Sequence, residues 1–216
     1  MRHLFNILII IFLISLCSCK FAATFDAPQP ENEKSLASFP SNLLGSYSDS
    51  SHQSILTISN HLITRHFDYD YKESRETIDS SYSIIGDTLL INKLNGSKEE
   101  ILIQDDSIVR HENLIDTLFN LSGDNLLKKY KGFYFLNVKY NELGWEVKKL
   151  SLEKGVLTIG SISDKEDLKK LEAITESPSD TIPIKLSLTK RQFKRFVKEN
   201  GFSSQLTFTR MKGCDM

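Results

Sequence analysis

The segment Ile55-Leu56-Thr57-Ile58-Ser59-Asn60-His61-Leu62-Ile63-Thr64 decides the fold class of this chain. Apolar and polar side chains alternate along it up to a polar turn, and a second apolar pair follows, which is the pattern of a β-hairpin. The segment from Lys149 to Thr158 repeats this pattern. The residues before each hairpin also match, Leu44 to Tyr47 with Lys131 to Tyr134. We therefore expect two related halves, each beginning with a β-meander.

Further turn signals separate a series of short apolar runs. Gly86-Asp87, Asn95-Gly96 and Asp105-Asp106 each lie between two such runs, and Asn-Gly is the strongest short signal for a hairpin. Phe133 to Tyr140 is apolar on both faces, which predicts a central strand. Short strands at this spacing indicate an antiparallel sheet.

Helices are predicted in three places: Asp124 to Tyr130, and two segments that begin with capping boxes. Ser163-Asp164-Lys165-Glu166 predicts a helix over 163–174, and Thr189-Lys190-Arg191-Gln192 predicts one over 190–200. The predicted fold class is α+β, mainly antiparallel β, with a curved sheet or barrel-like meander and a few short helices. The first β-rich unit is expected at 41–122 and the second, which includes both capped helices, at 123–212.

The two halves carry opposite charge. Residues 20–124 contain 8 Lys and Arg against 17 Asp and Glu, a net charge of −9, and residues 125–216 contain 18 against 11, a net charge of +7. Such asymmetry indicates either a basic partner-binding half or two halves that pack together and partly neutralise each other.

The first residues have the composition of an export signal. Met1-Arg2-His3 is a short basic start, and the following run from Leu4 to Leu16 is apolar apart from Asn6 and Ser15. As a helix, about 13 residues span only about 20 Å, against about 30 Å of bilayer hydrocarbon. The run therefore predicts a signal peptide over residues 1–18 rather than a membrane span.

The end of this signal resembles the lipobox of bacterial lipoproteins. Leu16-Cys17-Ser18-Cys19 places an aliphatic residue, a tolerant position, a small residue and a cysteine in the lipobox order. The resemblance implies that Cys19 becomes the mature N-terminus and carries a diacylglyceryl thioether, usually with an N-acyl chain as well. Two or three acyl chains give stable membrane anchoring. The alternative is an ordinary secretory signal in which Cys19 has no role.

The residues after Cys19 favour the outer membrane and predict a tether. Lys20 stands where inner-membrane lipoproteins of enteric bacteria have aspartate. The chain also resembles, in composition, the small envelope lipoproteins of Bacteroidota, a resemblance that implies no activity. Residues 19–40 lack periodicity and are rich in Ala, Pro, Glu, Asn and Ser. They predict the lipidated cysteine followed by a flexible tether with an r.m.s. reach of about 25 Å.

One strand contains the only candidate metal ligands. In His66-Phe67-Asp68-Tyr69-Asp70-Tyr71, the period of two places His66, Asp68 and Asp70 on one face and the aromatic residues on the other. Imidazole favours zinc or copper and carboxylates favour calcium, but alternate residues lie about 7 Å apart along a strand. The alternative is a solvated polar face opposite an aromatic core face.

The segment from Lys190 to Glu199 is amphipathic as a helix, with its phenylalanines on one side. The basic residues of the other side are Lys190, Arg191, Lys194, Arg195 and Lys198. They are expected either to contact a protein partner or an anionic envelope component, such as headgroups or lipopolysaccharide phosphates, or simply to face water. A nucleic-acid partner is not expected outside the cytoplasm.

The sequence contains no nucleophile motif and no phosphate-binding glycine loop. We therefore expect a non-enzymatic envelope lipoprotein without a cofactor, whose β domain binds a protein or an envelope component. Two alternatives remain open: a barrel that encloses a small apolar ligand, and a metal-dependent hydrolase that uses His66, Asp68 and Asp70.

Overall fold

The computed structural model describes residues 23–49, 51, 53–86, 88–175 and 184–211. Among these residues, fifteen strands and two short α-helices form a mainly antiparallel α+β fold, which confirms the predicted class. The strands are β1 (Ala23–Phe25), β2 (Ser35–Leu36), β3 (Gly45–Asp49), β4 (Ser54–Ile58), β5 (Leu62–Ser74), β6 (Tyr82–Ile85), β7 (Leu89–Asn92), β8 (Lys98–Gln104), β9 (Ser107–Asn120), β10 (Leu126–Tyr130), β11 (Phe133–Tyr140), β12 (Gly144–Glu153), β13 (Val156–Ser161), β14 (Ile184–Leu186) and β15 (Ser204–Arg210). The helices are α1 (Lys165–Thr175) and α2 (Lys190–Lys198), and 3-10 turns lie at Ser41–Leu43, Arg75–Thr77 and Asn141–Leu143.

The described part of the chain forms two compact units, which we call the helical unit (the described residues within 23–37, 123–151 and 158–206) and the all-β unit (the described residues within 38–122, 152–157 and 207–211). In the helical unit, the strand order is β2-β10-β11-β12-β13, and β1 pairs with the start of β12 and, in parallel, with β14. Helix α2 packs on this sheet through Phe193 and Phe196, both fully buried. They contact the rings of Phe25, Phe135 and Phe202.

The all-β unit contains the order β15-β3-β4-β5-β9-β8-β7-β6. Its longest strands, β5 and β9, pair antiparallel from Leu62 opposite Asn120 to Ser74 opposite Ser107. The described strands of neither unit close on themselves. Of the two predicted architectures, the described strands thus form the curved sheet, as an open meander, and they do not close into a barrel.

The tether predicted over residues 19–40 is wrong from Ala23 onward. Ala23, Thr24 and Phe25 are buried in β1. Further along, the backbone N–H of Gln29 donates to Oδ1 of Asn137 at 2.6 Å, and Nδ2 of Asn137 donates back to the carbonyl of Gln29 at 2.9 Å. Phe39, 2 % exposed, is also part of the core. The segment is therefore held by buried side chains and strand pairing, although it lacks periodicity.

The side chain of Lys128 also holds the segment around Pro28 and Pro30 in place. Lys128 is 5 % exposed, and its Nζ donates to the carbonyls of Pro28 and Pro30 at 2.9 Å each. Burial lowers the pKa of Lys128, and the nearby carboxylate of Glu33 opposes that effect. Lys128 thus donates hydrogen bonds to carbonyls of an irregular loop that would otherwise be buried without a partner.

Two local predictions are also wrong. Asp124 to Tyr130 contains strand β10 and not a helix, because Leu127 is buried where β10 pairs with β2 and β11. The predicted helix over 163–174 is present as α1, but its first turn is capped by Asp164, whose Oδ1 accepts the N–H of Asp167 at 2.8 Å. The capping box Thr189-Gln192 is confirmed, with both reciprocal hydrogen bonds present.

The boundaries of the predicted units, 41–122 and 123–212, do not follow the compact units. Residues 23–37 belong with the second half because β1 pairs with β12 and β14 and β2 pairs with β10. Residues 207–211 belong with the first half because Thr209 pairs with Ser48 and Arg210 with Tyr47. The predicted local repeat survives as two three-stranded meanders, β3-β4-β5 and β11-β12-β13.

Candidate functional site

The polar face of β5 is arranged as its sequence predicts, but the side chain of His66 does not lie beside those of Asp68 and Asp70. The ladder places His66, Asp68 and Asp70 at alternate positions of β5, opposite Ile115, Asn113 and His111 of β9. Nε2 of His66 lies 3.1 Å from Oδ1 of Asn113. The three candidate metal ligands therefore do not converge.

Both carboxylates instead lie against a histidine from the neighbouring strand. Nδ1 of His111 lies 2.9 Å from Oδ1 of Asp70, and Nε2 lies 3.6 Å from Oδ1 of Asp68. The hydrogen bond with Asp70 raises the pKa of His111 above its ordinary value, and the negative charge of Asp68 adds to this effect. The sequence shows His111 only as an isolated histidine, because its approach to β5 depends on strand register.

This cluster faces solvent and is not built to hold a metal ion. The side chains of His111, Asp68 and Asp70 are 55 %, 54 % and 68 % exposed. Both ring nitrogens of His111 already face carboxylates. Across the described part of the chain, no group of three or more His, Cys, Asp or Glu side chains is placed to bind a metal ion. What the cluster provides is a pH-dependent ion pair.

The opposite face of β5 is aromatic, and an arginine held by two carboxylates packs against it. Tyr71 lies under the guanidinium of Arg110, with 5.6 Å between the guanidinium carbon and the ring centroid. Arg110 also pairs with Glu73 at 3.0 Å and donates from Nε to Glu99 at 2.8 Å. The hydrogen bonds with Glu99 and Glu73 raise the pKa of Arg110 above its ordinary value. The arrangement stabilises the long β5–β9 ribbon.

The basic face of α2 is present as predicted. Phe193 and Phe196 point into the core, and this orientation turns Arg191, Lys194 and Lys198 outward, where they are exposed. Lys190 lies on the flank of the helix and pairs with Glu33 at 2.7 Å. Arg195 pairs with Glu199 at 2.8 Å.

The structure places Tyr130 and Lys131 beside this face, in addition to Glu33, and the sequence indicated none of the three. Nζ of Lys194 lies 5.3 Å from the ring centroid of Tyr130, at the end of β10, and Nζ of Lys131 lies 5.8 Å from the same ring. Lys131 thereby joins the basic residues of α2. The hydrogen bond from Lys190 lowers the pKa of Glu33, and the positive charges of Lys194 and Lys128 add to this effect.

The predicted lipidation residue, Cys19, lies outside the described residues. Within the described ranges, no helix has the length and apolar character needed to cross a bilayer. Comparisons with protein-family models, curated proteins and solved structures gave no match to this chain. The candidate surfaces are therefore judged by their own chemistry.

Proposed function

We propose that this chain is a lipid-anchored lipoprotein of the bacterial envelope, favouring the outer membrane, whose β-rich domain acts as a non-catalytic interaction module. The observation that supports it is the position of the first described strand. β1 begins at Ala23, four residues after Cys19. Cleavage before Cys19 removes no described element of the fold, and acylation there leaves the domain intact beside its anchor.

The chemistry of the anchor follows from the cysteine. The thiol of Cys19 loses its proton and attacks the glycerol carbon of a membrane phospholipid, so that the C–S thioether bond forms as the C–O bond to the headgroup phosphate breaks and that phosphate leaves. Each buried methylene of the transferred acyl chains contributes about 0.8 kcal/mol of membrane binding. An export signal whose apolar run is shorter than the bilayer leaves membrane attachment to those chains.

The polar clusters of the described domain support binding rather than catalysis. Catalytic groups are characteristically held in clefts with pKa values shifted by burial and by charged partners. The His111 cluster is more than half exposed, and the buried Arg65–Asp49 pair, 2.9 Å apart, is closed by Ser54 at 2.9 Å from Nε of Arg65. The proposal uses neither alternative, because the described strands do not close into a barrel and His66 lies beside Asn113 rather than beside Asp68 and Asp70.

The proposal is tested by acyl labelling in growing cells. We expect radioactive palmitate to label the wild-type protein and the control Cys17→Ala, which keeps an aliphatic residue and a small residue before Cys19. Cys19→Ala should lose the label, and it should leave the detergent phase on phase separation. Palmitate labelling of the Cys19→Ala protein, or absence of label from the wild type, would refute the proposal.

A further inference from the structure

We infer that the outer face of α2, together with Lys131, docks the helical unit on the anionic phospholipid headgroups of the membrane that holds its acyl anchor; the inference rests on the proposed acylation of Cys19. We call this surface the basic patch. It consists of Lys131, Lys190, Arg191, Lys194, Arg195 and Lys198.

The chain between the anchor and the fold is short. Four residue steps separate Cys19 from Ala23, and a fully extended chain covers at most about 14 Å over that distance. The backbone of Ala23 is fixed by β14, since Ala23 pairs with Ile184. The helical unit is therefore held beside the headgroups, and cannot stand away from them as a domain on a long tether would.

Helix α2 lies directly on β1, the strand that follows the anchor. The rings of Phe25 in β1 and Phe193 in α2 make an edge contact, with 6.2 Å between their centroids. A helix with its side chains is about 10–12 Å across. The outer face of α2 thus lies about one helix diameter beyond the Phe25 ring, a distance comparable to the reach of the chain from Ala23 to Cys19. The acyl chains can enter a bilayer on which the outer face of α2 rests.

The basic patch carries a net positive charge that matches an anionic membrane surface. The basic patch has six positive side chains and two acidic neighbours, Glu33 and Glu199, which gives a net charge of +4. Within the described part of the chain, ion pairs hold only Lys190 and Arg195 of the six. Lysine and arginine near an anionic leaflet each strengthen membrane partitioning by about fivefold.

The shape of the basic patch favours headgroups over a protein partner. Arg191, Lys194 and Lys198 are exposed along one convex face of the helix. Their charges are spaced along that face and do not converge on a single bound anion. Such an arrangement matches a layer of mobile anionic lipids, which can distribute themselves under each charge. The buried Phe193 and Phe196 hold the helix rigidly, so the surface is preformed.

The test uses the full mature chain, purified with its acyl groups and reconstituted in vesicles of phosphatidylcholine alone or mixed with phosphatidylglycerol. Surface lysines are acetylated with a water-soluble reagent, and the labelling rates are read by mass spectrometry. We expect Lys194 and Lys198 to label at least about threefold more slowly with phosphatidylglycerol, and to recover in high salt. Lys72 and Lys98, exposed in the all-β unit, should label equally in both vesicles.

The double variant Lys194→Glu/Lys198→Glu tests whether the basic patch itself makes the contact. We expect Lys131 to lose its phosphatidylglycerol-dependent protection in this variant and to keep it in the matched control Lys72→Glu/Lys98→Glu. All four positions are exposed, so neither variant disturbs the core.

The outcomes separate the inference from the proposed function. Equal labelling of the basic patch in both vesicle types, on a chain whose Cys19 is acylated by mass, overturns the docking and leaves the lipoprotein assignment intact. Protection that requires added envelope protein also overturns it and points to a protein partner. An unacylated chain that does not float with vesicles refutes the proposed function instead.

Discussion

The carboxylate of Asp70 lies 2.9 Å from Nδ1 of His111 across the β5–β9 ladder, where the two residues are direct register partners. The pairing raises the pKa of His111. Because the folded-state pKa lies above that of the unfolded chain, the pair stabilises the fold fully only below the ordinary histidine value of about 6.5. That contribution is lost as the pH rises through the raised pKa.

We predict that Asp70→Asn lowers the pKa of His111 toward its ordinary value, as measured by NMR titration of the imidazole protons. Asp68→Asn should lower it less, because Asp68 lies 3.6 Å from Nε2. An unchanged His111 titration in Asp70→Asn would contradict the geometry.

The buried ion pair of the all-β unit gives a prediction about stability. Arg65 and Asp49 are 10 % and 6 % exposed, and the guanidinium also lies over the ring of Phe67. We predict that Asp49→Ala lowers the free energy of unfolding by about 3–5 kcal/mol, because it leaves a buried guanidinium without its counter-charge. Asp68→Ala, at an exposed position, should change it by less than about 0.5 kcal/mol. Denaturant titration measures both, and similar values for the two would be evidence against a buried pair.

The first strand gives a prediction that separates a folded segment from a tether. Phe25 is fully buried against Phe193, so we expect Phe25→Ala to lower the free energy of unfolding by about 3–5 kcal/mol. Lys34→Ala, exposed in the same segment, should be close to neutral. If residues 19–40 were a tether, both substitutions would leave thermal and denaturant unfolding unchanged.

The Asn137 side chain makes a prediction about proteolysis. It is fully buried, and its amide donates to the carbonyls of Gln29 and Phe135 at 2.9 and 3.1 Å. Asn137→Asp removes those donors, and we predict a loss of about 2 kcal/mol, since buried acceptors are left without partners. Cleavage by trypsin after Lys34 should become faster under native conditions. Cleavage at the wild-type rate would show that Gln29 is held by other contacts.

The parts of the fold that the sequence predicted are those with local signals. The hairpin between β4 and β5 follows from the alternation at 55–64, and α2 follows from its capping box and from the spacing of Phe193 and Phe196. The three residues of β1 give no such signal. Ala23 pairs with Ile184, and pairing over so long a stretch of sequence leaves no pattern in either segment alone.

The candidate surfaces likewise contain residues with a local sequence signal and residues that only the fold brings into place. The basic residues of α2 could be assigned to one face because helical periodicity fixes their directions. Lys131 and Glu33 could not be added, because the first is placed by the turn after β10 and the second by the loop that Lys128 and Asn137 hold. The histidine beside Asp68 and Asp70 was missed because the sequence does not state which residue of β9 lies opposite Asp70.

The most direct test of the account is the mass of the N-terminal peptide from protein purified from membranes. The account predicts that the mature chain begins at Cys19, with a mass increase equal to a diacylglyceryl group and, where present, an additional acyl chain. A chain that still begins at Met1, or that begins at Cys19 with an unmodified thiol, would contradict it.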